Sequence, residues 1–144
     1  MIYIKMTRIP NLSLNAQPSR AQWRDLGLRM RRMIIDRTMS GIDIHEKPFA
    51  KYSTAYQKRR EALGKTVDVV NLQDRSEMLN SLDYKEDSSG VDVFYSERQR
   101  GLVALYHQNG DGSLPQREHF GFTTRQTEQI RDQIYAYIKQ AARL

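Results

Sequence analysis

Cysteine is absent from this chain of 144 residues. Disulfide staples, thiolate metal sites and a cysteine nucleophile are therefore excluded, and the absence suits assembly in a reducing cytoplasm. Proline is scarce at four, and the eight glycines form no phosphate-cradling loop. No serine sits in a Gly-x-Ser-x-Gly elbow. The three histidines, His45, His107 and His119, show no i, i+4 pairing and no His-Glu-x-x-His. Long apolar runs are also missing, so no membrane-spanning helix is expected. Met1-Ile2-Tyr3-Ile4 is too short for the apolar region of a signal peptide, and none is expected.

The remaining candidates for chemistry are weak. Asn109-Gly110-Asp111-Gly112-Ser113 superficially follows a calcium loop, but Phe120 stands where the closing bidentate glutamate is needed. Asn-Gly and Asp-Gly are better read as turn dipeptides. Glu86-Asp87 flanks an expected turn, where paired carboxylates are solvated. The sequence therefore predicts no catalytic residues, no cofactor and no metal: a protein that is not an enzyme.

What is present is a soluble composition, 39% hydrophobic and 28% charged, of a length that fits one domain with its own core. The net charge of +6 is unevenly spread. Residues 1–60 carry 13 Lys or Arg against 4 Asp or Glu, whereas residues 61–144 carry 10 against 13. Such asymmetry fits contact with nucleic acid, head-to-tail self-association of unlike patches, or solvated basic faces. The cations available for phosphates are Arg29, Arg31, Arg32 and Arg37, with Lys58-Arg59-Arg60 further on. The spacing of the two expected helices does not match a helix-turn-helix.

Residues 1–18 read as a flexible N-terminal arm, with Leu12 and Leu14 alternating as in an edge strand. Residues 19–144 read as a single α+β domain. Ser19-Arg20-Ala21-Gln22 is a capping box opening a helix whose stripe is Trp23, Leu26, Met30, Met33 and Ile34, with Gly41 as its left-handed terminator. A loop to Pro48 leads to a second helix over about Phe49 to Leu63, with Tyr52, Tyr56 and Leu63 on one side. Its cations oppose the negative end of the helix dipole. Val67 to Leu72 reads as a strand or an extended lead-in. Asp74-Arg75-Ser76-Glu77 reads as a second capping box, opening a short helix through Met78, Leu79 and Leu82. Tyr84-Lys85-Glu86 and Val91 to Tyr95 flank Asp87-Ser88-Ser89-Gly90 as a hairpin. Leu102 to His107 fits strand or helix, with helix preferred. Glu118 to Phe122 reads as extended, and Thr123-Thr124-Arg125-Gln126 caps a last helix with the stripe Ile130, Ile134, Tyr137, Ile138 and Ala141. The expected architecture is a small antiparallel sheet packed by long N-terminal and C-terminal helices.

Four segments, in order, resemble the phage virion morphogenesis family. They are Gly41-Ile42-Asp43 with Lys47-Pro48-Phe49 to Tyr52-Ser53 and Tyr56; Leu72 to Ser76-Glu77-Met78-Leu79-Asn80-Ser81-Leu82; Tyr106-His107-Gln108; and Pro115-Gln116-Arg117 to Phe120-Gly121. Gln116 and Glu118-His119 depart from the small and aromatic residues that the family often has there. The resemblance implies a structural virion protein, forming a ring, commonly a hexamer, at the head-proximal end of the tail. Its implied partners are further copies of itself, the tail tube protein and the head connector or stopper proteins, at the neck or tail end of the virion. Arg117 would make a bidentate contact, within its own subunit or to a neighbour. Candidate assembly contacts are His107, Arg117, His119 and Phe120 in this segment and Arg29, Arg31 and Arg32 on the basic helix. A small basic DNA-binding protein is the alternative.

Overall fold

The structure, a computed structural model, describes residues 3–7 and 16–142. Its elements are β1 (Tyr3–Thr7), α1 (Arg20–Met39), α2 (Thr54–Ala62), α3 (Glu77–Asn80), β2 (Leu82–Glu86), β3 (Gly90–Tyr95), α4 (Arg98–Asn109) and α5 (Thr124–Ala141). The three strands form one antiparallel sheet in the order β1-β3-β2. This is the expected α+β class.

Side-chain alternation sets which face of the sheet is covered. Val91, Val93 and Tyr95 of β3 are buried, as is Leu82 of β2, while Asp83 and Lys85 are exposed. The buried row lies under α1, which presents Trp23, Leu26, Met30 and Ile34. Gly27 permits that approach: a methyl group there would lie 2.5 Å from the Tyr84 ring and 2.6 Å from Val91. Helix α5 then packs on α1 through Ile130, Ile134, Tyr137 and Ile138. Gln22–Gln140, at 3.0 Å, and the Tyr137 hydroxyl donating to Asp25 fix the two helices antiparallel.

Both expected capping boxes on the long helices form, at Ser19–Gln22 and Thr123–Gln126. The hairpin forms as read, closed by Asp87 N donating to Gly90 O at 3.0 Å. The apolar run Leu102 to His107 is helical, as preferred, but α4 begins earlier, at Arg98.

Other expectations are corrected. The strand near the N-terminus is Tyr3–Thr7, paired with the central β3; Leu12 and Leu14 lie outside the described residues. Helix α2 starts at Thr54, because Ser53 caps it through Tyr56 N. Phe49 and Tyr52 enter the core before the helix rather than on it, and Leu63 is exposed. The expected box from Asp74 to Glu77 does not form: α3 begins only at Glu77, and the residue before it, Ser76, is left-handed and makes no side-chain cap bond. Helix α3 stops after one turn, because Leu82 pairs with Tyr95 and draws the chain into the sheet. Of the two options for residues 67–72, a strand or an extended lead-in, the strand does not form, and Leu72 adopts a left-handed φ of 55°. Ala141, expected in the apolar stripe of α5, is exposed.

Candidate functional site

The turn between α4 and α5 is assembled by side chains that substitute for a strand partner. Helix α4 ends on Gly110, left-handed with φ 72°, and a methyl group there would come 2.7 Å from the backbone nitrogen of Gln116. The turn brings Arg117 N to His107 O at 2.7 Å. Gln108 then holds the returning chain: its Oε1 accepts from His119 N at 3.0 Å and Phe120 N at 2.9 Å, and its Nε2 donates to Phe120 O at 3.2 Å. One amide side chain thus satisfies three backbone groups of the 118–122 segment, which was expected to be extended and is irregular instead.

Three buried arginines tie this turn and its neighbours together. Arg117, 3% exposed, donates from Nε to Ala50 O at 2.9 Å and from Nη2 to Lys51 O at 3.1 Å. Arg37 donates to the backbone oxygens of Gly121 and His119 and to Gln126 Oε1. Burial lowers its pKa to about 10, opposed by the charge of Asp43. Arg60 donates to Thr66 O at 2.9 Å and Gln73 O at 3.1 Å, which fixes the irregular 65–73 segment. Tyr52 meets two of these cations, its ring centre 4.9 Å from the Arg60 guanidinium and 5.3 Å from that of Arg117. The Tyr56 ring meets Tyr52 edge-on at 5.0 Å.

His119 is fully buried. Its Nε2 is 2.8 Å from the Tyr95 hydroxyl and its Nδ1 is 3.1 Å from Arg117 O. Since a carbonyl oxygen only accepts, Nδ1 carries the proton and Nε2 accepts from Tyr95. Desolvation pushes the pKa of His119 down to about 4 and raises that of Tyr95. His107 is also lowered to about 4, first by burial and then by the charge of Arg117. Its Nδ1 is buried without a hydrogen-bond partner among the described residues.

The expected contact residues therefore divide. Arg117 takes the within-subunit option of its expected bidentate contact, while His119 and Phe120, expected as subunit contacts, are buried and bonded or packed inside the subunit and are corrected to internal braces. The reason is that the turn's carbonyls and rings need partners once folded away from water. His107 keeps partial exposure. On α1, Arg29 pairs with Asp25 at 2.8 Å, Arg31 donates to Leu82 O at the sheet edge, and Arg32 is exposed. Arg29 lies in a groove with residues of α5, so the two sets of candidates are not brought together. Sequence reasoning missed the bracing roles of Gln108 and Tyr95, saw Gln126 only as a cap, and offered Arg37 and Arg60 as cations for phosphates or for the helix dipole. Arg37 carried a signal: with Met30 and Ile34 it completes an i, i+4, i+7 spacing, which places it on the buried stripe.

Around this scaffold, Tyr52, Ser53, Tyr56, Leu72, Asp74, His107, Ser113, Leu114, Pro115 and Arg117 border one cleft of about 580 Å³. Among the described residues no three His, Cys, Asp or Glu side chains are placed to share a metal ion. His45 and Glu118, 2.9 Å apart, form an exposed pair. Compared with known proteins, the chain matches no family model, no curated protein and no solved structure.

Proposed function

We propose that the protein is a structural virion subunit of a tailed bacteriophage, without catalytic activity. It forms a ring, taken as six subunits, at the head-proximal end of the tail, where it completes the tail and joins it to the head connector. It would assemble in the host cytoplasm and remain at the neck of the particle.

The observation that carries this reading is the convergence of the segments that resemble the virion morphogenesis family. Tyr52 and Tyr56, Leu72, and His107 with Pro115 and Arg117 come from three separate stretches of the chain, yet they meet around one arginine–tyrosine scaffold. A set of residues that acts together as a brace accounts for their appearance in one order without any reaction. Tyr95 and His119, the one closely bonded titratable pair of the scaffold, lie too deep to meet a substrate.

The unlike charge of the two halves of the chain supports association of unlike surfaces. DNA binding is less well supported. Arg37 and Arg60 are internal, and Arg20 and Arg24 both approach Glu86, at 3.5 and 3.1 Å.

Sedimentation velocity and negative-stain imaging test the proposal, on the protein alone and mixed with purified tail tubes. Rings, or caps at one end of the tubes, are the expected result. A protein that stays monomeric, ignores the tubes and shifts duplex DNA at physiological salt with a steep salt slope would establish the alternative.

A further inference from the structure

The cleft bordered by α2 and the 113–117 turn combines two features that a merely structural hollow does not need. Arg117 lines it and carries a full positive charge, yet no carboxylate among the described residues lies within ion-pair distance of it. Arg60, 4.9 Å from the Tyr52 ring centre, is likewise without a carboxylate partner among those residues. The carboxylate in the cleft wall, Asp74, is bound by Lys65 at 2.7 Å. In the same wall His107 Nδ1 has no partner among the described residues. A buried cation satisfied only by carbonyl dipoles keeps an outward field, and that field is strongest where low-dielectric walls exclude water. Here the walls are Tyr52, Tyr56, Leu72, Leu114 and Pro115.

We propose that this cleft binds an extended segment of a partner polypeptide, one that places an aspartate or glutamate toward Arg117 between apolar or aromatic residues. The size suits a few residues of extended chain, not a whole helix. Apolar neighbours would cover the tyrosines and Pro115, and the carboxylate would supply the counter-charge that the subunit does not provide. A free carboxylate without flanking residues lacks the apolar contacts, and the amide isostere lacks the charge. The site belongs to the single subunit and does not depend on ring formation.

The probe is the capped peptide Gly-Phe-Asp-Phe-Gly, compared with the same peptide carrying Asn for Asp and with acetate. Binding is followed by amide chemical shifts of the full-length protein. The proposal requires shifts at Ser53, Tyr56, Ser113 and Leu114, with the Asn peptide weaker by roughly tenfold, as expected for loss of a charge-assisted contact. Equal affinity of the two peptides, an acetate effect as large as the peptide's, or no binding of the Asp peptide at millimolar concentration would each overturn it. Arg117 braces the fold, so the variant used is Leu114→Glu at the rim. It should keep the native circular dichroism and lose the Asp peptide at least tenfold; unchanged binding by this variant would place the peptide elsewhere and sink the proposal.

Discussion

The Tyr95 hydroxyl and His119 Nε2, 2.8 Å apart, join the last residue of the central strand to the turn that leads into α5. Neither group reaches water, so each depends on the other. Tyr95→Phe removes the donor and leaves a buried ring nitrogen unsatisfied, a loss of about 1–3 kcal/mol. Urea titration at neutral pH should show the lower midpoint with an unchanged slope. Nitrogen chemical shifts of wild-type His119 should report the Nδ1–H tautomer, and the opposite tautomer would contradict the assigned bond to Arg117 O.

The same histidine gives stability a pH dependence of known sign. His107 and His119 titrate near 6.5 when unfolded and near 4 when folded, because burial disfavours the charged ring. Between those values the unfolded chain binds protons that the native one refuses, so stability falls as pH drops from about 6.5 towards 4. The loss is on the order of a few kcal/mol. Asp25, held low by the Tyr137 hydroxyl, and Asp74, held low by Lys65, add their loss only at more acid pH. Denaturation midpoints that stay flat through the histidine window would refute this account.

Gly27→Ala should destabilise the protein although alanine is the better helix former. The added methyl meets the Tyr84 ring and Val91 within 2.6 Å. Overpacking of this kind costs about 1–3 kcal/mol, which outweighs a helix-propensity gain of roughly 1 kcal/mol. Thermal unfolding measures the balance, and a rise in Tm would mean that α1 lies farther from the sheet.

Arg37→Ala and Arg32→Ala separate internal from surface cations on one helix. Arg37 serves two backbone oxygens and Gln126, so its removal leaves buried acceptors unpaired, with a cost of about 3 kcal/mol or more. Arg32 is exposed, and its replacement should change stability by less than about 0.5 kcal/mol. Similar effects of the two substitutions would show that Arg37 is not buried as described.

How much of this was legible beforehand follows the range of the interaction. Ser19–Gln22 and Thr123–Gln126 act over three residues, and both caps were readable. The expected box Asp74–Glu77 has the right residues, but α3 opens only at Glu77 behind a left-handed Ser76, and the Asp74 carboxylate is taken by Lys65. In the candidate site the stretch is legible but its direction is not: the sequence offers His119 and Phe120 as subunit contacts and leaves Arg117 open between its own subunit and a neighbour, and the fold encloses all three. The cleft itself was not foreseeable, since it takes lining residues from 52 to 117.

The amino-acid sequence by itself determined the capped helices α1 and α5, the apolar stripes that face their partners, and the β2–β3 hairpin, because capping, periodicity and turn chemistry act between near neighbours. Only the tertiary structure decided the fate of the arginines. Arg117 finds its acceptor 67 residues away and Arg37 finds one 84 residues away, and an arginine in sequence carries no mark of whether a carbonyl or the solvent will receive it. The segment from Tyr106 to Gly121 is the clearest case: its residue types were visible at once, but their inward direction follows from the carbonyls of residues 50 and 51 and the hydroxyl of Tyr95 being folded against it.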